Sequence, residues 1–435
     1  ADVYYTAWGV KQRLSAGPGY QVKKLTVFPG RSLTNHMHHR RSEQWSIVKG
    51  QAAIALDGER RIYDVGESVL VRPGVAHQLT NPGAEDLVLI EVSLGELAPA
   101  RQDGDLQEMP QSGDGREMAA DPILRLEPVF KDNLWGGTAL RDRYGKHCDY
   151  DVIAESWELS AHEAGQSLVA SGPARGMPFG EYLARIGRGR WGWKCQAQER
   201  FPLLIKLIDA RKDLSIQVHP GDEYALAREN EYGKNEMWYI MDCQPGARLY
   251  CGFSRPVSKE EVAARVKNGT LTQVLNEVPV HKGQVVFIPA GMVHAIGAGI
   301  LLCEVQQSSN VTYRLYDYGR KDRYGQLRQL HLEKALDVLD TTARPQILEA
   351  RENEEGRARL CACKYFSVER QRVCGKTALA GDDASFTALM FLEGHGTVQA
   401  EDTTLPWKSA DCFFVPAGRR PILLEGEGTL LVVRL

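Results

Sequence analysis

One short pattern occurs three times without a gap, and it limits the fold more than any other feature of this sequence. Gly66-ESVLV-Arg72-Pro73-Gly74-VA-His77 aligns with Gly283-QVVFI-Pro289-Ala290-Gly291-MV-His294 and with Ala410-DCFFV-Pro416-Ala417-Gly418-RR-Pro421. Each copy reads as an apolar strand, a tight Pro/Gly turn, and a residue re-entering a sheet. Runs such as YQVKKLTVFPG, QWSIVKG, AAIALDG and DLVLIEVS add short strands bounded by turn residues. The expectation is a mainly β chain of three jelly-roll β-barrel units.

Composition divides the chain. Residues 1–100 read as all-β. Residues 101–121 (RQDGDLQEMPQSGDGREMAAD) are nearly free of large apolar groups and read as a linker, because too little surface is available for burial. Residues 122–344 mix strands with the helix-like stretches FGEYLARIG, GDEYALARENE and SKEEVAARVKNGTLTQVLNEV, the last opened by a capping box of Ser258 and Glu261. Residues 345–435 return to strand character.

The net charge of −3 gives no electrostatic footprint for nucleic acid or an anionic membrane. No stretch approaches the roughly 18 apolar residues of a membrane span, and ADVYYTAWGV does not read as a signal peptide. Nine cysteines without a framework suggest reduced thiols and a cytoplasmic setting. Cys361 and Cys363 read as small hydrophobes on one strand face. Trp135, Trp157 and Trp238 read as barrel core. A homo-oligomer is left open.

The first unit carries Gly30-RSLTN-His36-Met37-His38-HRRS-Glu43-QWSIVK-Gly50, or G-x5-H-x-H-x4-E-x6-G. This resembles the first cupin signature, and His77 completes a set of three imidazoles and a carboxylate suited to a divalent metal. His36 and His38, two apart on a strand, share a face. The central unit carries a variant in which Gln217, His219, Glu236 and His294 take the corresponding places; twelve extra residues before Glu236 hold a helix outside the barrel. The third unit has Pro421 for the histidine and no H-x-H, so it is expected to hold no metal.

Several ordered segments from about Pro122 onward resemble the type I mannose-6-phosphate isomerases in their short bacterial form. They are PVFKDNLWGGTALRDRYG, ESWELSAHEAGQSLVASG, PLLIKLIDARKDLSIQVHPGDEYA, GKNEMWYIMDC, VFIPAGMVHAIG and QQSSNVTYRLYDYGR. The resemblance implies zinc on Gln217, His219, Glu236 and His294, with Arg314 as the active-site arginine and Glu304 as an acid or base. It further implies that Lys206, Ser215, Lys234 and Arg320 line the substrate and phosphate site. The first unit is similar to the isomerase cupin of the type II mannose-1-phosphate guanylyltransferases, with His36 where that family usually has Gln and Arg72 for the usual Pro. No Gly-rich pyrophosphorylase loop accompanies it, so guanylyl transfer is not expected.

The implied activity is interconversion of mannose 6-phosphate and fructose 6-phosphate through a cis-enediol. A zinc with an open position polarises the carbonyl, a fixed cation such as Arg314 adds ~3 kcal/mol, and a positioned acid or base contributes roughly 10²–10⁴-fold. Lys206 interrupts the apolar strand PLLI-Lys-LI, and Glu304 a similar run, where unpaired charge is costly. Two other readings stand beside this one. His36, His38, Glu43 and His77 form a divalent-metal site that makes the first unit the active site, or a second one, of a metal-dependent sugar isomerase, or the chain is a sugar-binding or regulatory cupin without turnover.

Overall fold

The computed structural model describes residues 3–6, 8–33, 41–57, 59–95, 120–321, 325–349 and 351–435. They form two compact units, Ala1–Arg116 and Glu117–Leu435. The expected linker lies outside the described residues apart from Ala120 and Asp121.

In the first unit, alternating burial along Leu87–Gly95 and Arg41–Lys49 turns one face of each strand inward. A six-stranded antiparallel sheet runs in the order Val3–Thr6, Gly9–Gly17, Tyr20–Val27, Leu87–Gly95, Arg41–Lys49, Ser68–Val71. A second sheet holds Glu59–Tyr63, Ala52–Leu56 and His77–Thr80. Residues of both sheets, Leu25, Trp45, Ile47 and Leu89 with Ile54 and Leu79, share one core.

The second unit opens with a larger version of the same plan. A seven-stranded sheet runs Val129–Lys131, Glu155–Leu159, Leu203–Ala210, Ile300–Gln307, Glu236–Cys243, Val285–Ile288, Gln346–Leu348. Leu203–Ala210 and Ile300–Gln307 are buried along their whole length, the mark of strands covered on both faces. A five-stranded sheet, Leu275–Pro279, Arg248–Phe253, His294–Ile296, Ile216–Val218, Tyr313–Tyr316, closes the barrel. Its Leu249, Cys251 and Ile296 pack on Trp238, Ile240 and Val286 of the larger sheet.

Helices form in all three helix-like stretches, but the third is helical only to Lys267 and then gives a 3-10 turn at Leu271–Val274 and the strand Leu275–Pro279. Ala139–Tyr144 and Leu332–Val338 are helices the spacing did not predict. Phe179–Ile186 buries Phe179, Tyr182, Leu183 and Ile186. Asp222–Glu229, the helix placed between His219 and Glu236, buries only Ala225. Lys259–Lys267 is capped as read, Ser258 Oγ accepting from the Glu261 N–H at 3.2 Å. Among the described residues no helix is long and apolar enough to cross a membrane, and the nine cysteines are free thiols.

The C-terminal strands build a third, mostly long-stranded sheet: Arg357–Ala362, Ser367–Leu379, Ile422–Arg434, Thr387–Ala400 and Cys412–Val415, with Thr403–Lys408 beside Thr387–Ala400. It continues into Leu124–Glu127, so that Leu126 stands opposite Cys412. The strand Gln346–Leu348 pairs with the central sheet instead. One core, including Leu126, Phe179, Leu203, Phe386 and Phe414, is therefore shared by the central and C-terminal sheets. In the Pro/Gly turn Gly74 and Gly291 are left-handed at 83° and 87° and Gly418 is not, whereas the residue that opens the repeat keeps its backbone in all three copies, Gly66, Gly283 and Ala410 having φ of 88°, 86° and 67°. Only in the third does a side chain bear the cost of that left-handed conformation.

Candidate active site

Direct cross-strand pairing sets the site. On the seven-stranded sheet Trp157 stands opposite Lys206, Lys206 opposite Glu304, and Glu304 opposite Trp238. In the adjoining row Gln306 stands opposite Glu236. Opposed residues of an antiparallel ladder share a face, so an ammonium and two carboxylates enter the barrel side by side. From the smaller sheet, Gln217 pairs in register with both His294 and Arg314.

Lys206 and Glu304 are only 4% and 3% exposed, and burial at that level demands compensation. Lys206 Nζ lies 3.4 Å from Glu304 Oε2 and 3.5 Å from Glu155 Oε2, and 4.7 Å from the centre of the Trp157 ring. Trp157 Nε1 donates to Glu155 Oε2 at 2.7 Å, and Trp238 Nε1 donates to Glu304 Oε1 at 3.0 Å. Burial pulls the Lys206 ammonium down, but Glu155 and Glu304 outweigh it and hold its pKa above the ordinary value. Glu155 feels the converse: burial pushes it up, and Lys206 with the Trp157 N–H brings it below the usual range. Burial and the neighbouring charge of Glu236 push Glu304 up to about 7. A carboxyl in that range has two accessible states near neutral pH, as proton transfer requires.

One row away, His219, Glu236 and His294 form a fully buried cluster. His219 Nε2 and His294 Nε2 are 3.2 Å apart and lie 3.4 Å and 3.1 Å from Glu236 Oε1. His294 Nδ1 donates to Met292 O at 2.8 Å, which leaves its Nε2 lone pair facing the cluster. Burial, then Lys234, pushes His219 down to about 3, so its imidazole is neutral. Burial raises Glu236, yet Lys234 and His219 outweigh it and keep the carboxyl well below its usual range. Both Glu236 oxygens and His219 Nδ1 are buried without a hydrogen bond. Two facing lone pairs beside an under-satisfied carboxylate are a donor set for a cation. The residues fit a divalent metal.

Gln217 approaches the same point, its Nε2 lying 3.5 Å from His219 Nε2 and 3.4 Å from His294 Nε2. An amide ligates only through oxygen, and a half-turn exchanges the two ends. Ser215 Oγ bonds Gln217 Oε1 at 3.4 Å and receives Arg314 Nε at 3.3 Å. Arg314 also donates to Gln329 O at 2.9 Å. Lys234 Nζ sits 3.2 Å from His219 Nε2 and 3.6 Å from Glu236 Oε2.

Of the residues singled out from sequence, Gln217, His219, Glu236, His294, Lys234, Ser215 and Arg314 come together, with Lys206 and Glu304 on the same barrel face. Arg320 does not join them. It binds Asp317 Oδ1 at 2.5 Å alongside Arg328, because the buried Asp317 carboxylate needs both cations. Glu155 was not singled out; it opens the strand ESWEL, and period-2 spacing, which puts it on the Trp157 face, was the available signal. Trp157 and Trp238 are core, as read, and their indole N–H groups also hold the two carboxylates. Asn235 was missed too. It joins Gln307 through Nδ2 at 2.8 Å and the Ala290 N–H through Oδ1 at 2.9 Å, tying the Glu236 strand to the turn before His294.

In the first unit Glu43 and His77 are buried, with His77 Nε2 3.7 Å from Glu43 Oε2. His36 and His38 lie outside the described residues.

Three family models match the chain. They are mannose-6-phosphate isomerase C-terminal over residues 1–103, phosphomannose isomerase type I catalytic domain over 123–242, and mannose-6-phosphate isomerase cupin domain over 358–435. The mannose-6-phosphate isomerase ManA of Bacillus subtilis (strain 168) is 39% identical over 323 residues, 73% of this chain and 100% of the relative. The crystal structure of mannose 6-phosphate isomerase from Bacillus subtilis superposes with a TM-score of 0.67 at 36% identity, covering 72% of this chain and 100% of that one. The mannose-1-phosphate guanylyltransferase of Escherichia coli (strain K12) is 43% identical over 91 residues, 21% of this chain but 19% of that protein.

Proposed function

The chain belongs to the type I phosphomannose isomerase family, and from that premise we propose that its central barrel interconverts mannose 6-phosphate and fructose 6-phosphate at the His219–Glu236–His294 cluster, with zinc as the metal. The observation that carries this reading is a buried lysine–carboxylate pair one ladder row from a buried donor set in which both Glu236 oxygens and His219 Nδ1 lack hydrogen-bond partners.

The reaction is redox-neutral overall. In the aldose-to-ketose direction a proton leaves C2, a proton reaches C1, and the O2 hydroxyl proton passes to O1, through a cis-enediol. Gln217, His219, Glu236 and His294 would hold the zinc, which would supply Lewis-acid polarisation of the sugar's carbonyl and hydroxyl. Glu304 takes the C2 proton at Oε2 and returns it at C1. Its pKa near 7 suits both halves of that task. Lys206 and the Trp238 N–H hold that carboxyl in place and balance its charge when it is ionised. Arg314, tethered by Ser215 and Gln329, offers its guanidinium to the developing enediolate. Lys234 is the cation nearest the cluster and a partner for the phosphate or a sugar oxygen. Arg320, bound to Asp317, is given no part in this step.

The test is a coupled assay of mannose 6-phosphate turnover on zinc-loaded and chelated full chain, with Glu304→Gln alongside. We expect turnover that chelation abolishes and zinc restores, and a kcat lowered roughly 10²–10⁴-fold in the variant with KM nearly kept. Sugar binding without turnover in the loaded protein would establish the regulatory reading instead.

A further inference from the structure

Three contacts with one short segment fix Arg314, and His331 makes two of them. The strand Tyr313–Tyr316 lies at the end of the five-stranded sheet, beside Ile216–Val218. At Arg314 a histidine completes its outer edge. The Arg314 N–H donates to His331 Nδ1 at 3.1 Å, and the His331 N–H donates to Arg314 O at 2.8 Å. The guanidinium returns to the same segment, Nη1 donating to Gln329 O at 2.9 Å. Because both main-chain groups of Arg314 turn outward to His331, its pairing with Gln217 is of the non-hydrogen-bonded kind, which brings opposed side chains closest. His331 thus holds Arg314 in the register at which its side chain meets Ser215 Oγ, 3.3 Å from Nε, beside Gln217.

Nδ1 accepts only when it carries no proton, so the neutral imidazole keeps its hydrogen on Nε2. The surroundings favour that form: burial, then Arg314 and Lys334, lower the His331 pKa against the opposing pull of Glu229. His331 stands at the N-cap position of Leu332–Val338. A polar side chain there commonly caps its own helix; His331 makes no such bond and gives its acceptor to Arg314 instead. The helix behind it is anchored in turn. Lys334 Nζ binds Glu229 Oε1 at 2.7 Å, the oxygen that accepts from Tyr313 Oη at 2.8 Å, and Tyr224 Oη donates to Asp337 Oδ2 at 2.8 Å. Tyr224 and Glu229 belong to Asp222–Glu229, the helix between His219 and Glu236. The histidine that grips Arg314 is therefore carried by a helix tied to the segment joining two members of the buried cluster.

We propose that His331 is a positioning residue for the isomerisation, holding the Arg314 guanidinium where negative charge develops on the sugar. The inference rests on the role given above to Arg314. A cation preset toward developing charge stabilises it without reorganising at the moment of reaction, so a loosened arginine lowers kcat more than it raises KM. Asparagine carries an acceptor oxygen at the same remove from Cβ as Nδ1 and can take its place; alanine cannot.

The test measures kcat and KM for mannose 6-phosphate on the zinc-loaded full chain, with zinc per chain and melting temperature recorded for each variant. His331→Ala should lower kcat about 10–100-fold, keep KM within about threefold and leave the zinc content unchanged. His331→Asn should recover kcat to within about threefold of wild type. In an Arg314→Ala chain, itself slowed, adding His331→Ala should change kcat by less than about twofold, since the two residues act as one unit. Equal losses from His331→Ala with and without Arg314 overturn the proposal, as does a lowered melting temperature with wild-type kcat in the folded protein. If His331→Ala does not fold, His331→Asn against His331→Gln decides: the glutamine oxygen lies one bond too far out, so equal kcat in the two overturns the proposal. Wild-type kcat in Arg314→Ala removes the role of Arg314 and this inference with it. A slow Arg314→Ala beside an unimpaired His331→Ala removes this inference alone.

Discussion

The central barrel and the C-terminal sheet share a ladder but not a chemistry. In both, a strand leading into the Pro/Gly turn lies beside the strand that supplies the ladder's polar position: Ile288 opposite Glu236 in one, Val415 opposite Thr387 in the other. Both have a bulge four or five residues later, after Ile240 and after Phe391. Where the central barrel has Lys206, Glu304 and His294, the C-terminal sheet has Glu369, Val432 and Pro421. The ladder is set by apolar alternation and turn geometry, so its polar positions are free to be lost. Their retention in the central barrel is costly for folding and is explained by what the groups do.

The sharpest way to break this contrast is at the metal cluster. His294→Ala should lower mannose 6-phosphate turnover by about 10³-fold or more. It should also reduce zinc per chain in elemental analysis by the central site's share. A variant that keeps its zinc would move the site elsewhere.

Lys206→Met should strand Glu155 and Glu304 in the barrel wall and cost about 3–5 kcal/mol in denaturant unfolding. Adding Glu304→Gln should restore part of that stability but no activity. Such a split would mark the pair as functional rather than structural.

The reverse change sharpens the comparison from the other side. Thr387→Glu should place an uncompensated carboxyl at a fully covered ladder position, costing about 1–3 kcal/mol without new metal uptake. Arg434, which donates to Thr387 Oγ1 at 3.0 Å, is the group to watch: an unchanged melting temperature would mean that it has paired with the new acid.

The smallest effect concerns Arg320 and Arg328. Burial raises Asp317, but the two guanidiniums outweigh it and hold its pKa below the ordinary carboxylate value. The stabilisation is therefore complete above about pH 4, the unfolded value, and fades as pH falls through the lower folded one. Arg328→Ala should lower the melting temperature at neutral pH, and the gap to wild type should close on acidification. A gap independent of pH would assign the loss to packing.

Much of the metal cluster was legible in sequence. Period-2 spacing puts Gln217 and His219 on one face, and the repeated turn puts His294 where His77 stands. Lys206 and Glu304 stood out as charges in apolar runs and their roles came through resemblance, but their pairing was not legible, because nothing local joins strands about a hundred residues apart. Trp157 and Trp238 showed only their bulk in sequence; the direction of an indole N–H is a property of packing. LRLE at 124–127 was not singled out as a strand, and its partner at Cys412–Val415 depends on three-dimensional closure.

That closure bears on how the protein is made. Because Leu126 lies against Cys412, the second unit cannot finish its sheet until the ribosome has released the segment around Cys412, whereas the first unit draws all its strand partners from within residues 3–95. During translation one edge of Leu124–Glu127 can pair with Leu168–Val169, while the edge that faces Cys412–Val415 waits unpaired, the kind of exposed edge that recruits chaperones or aggregates.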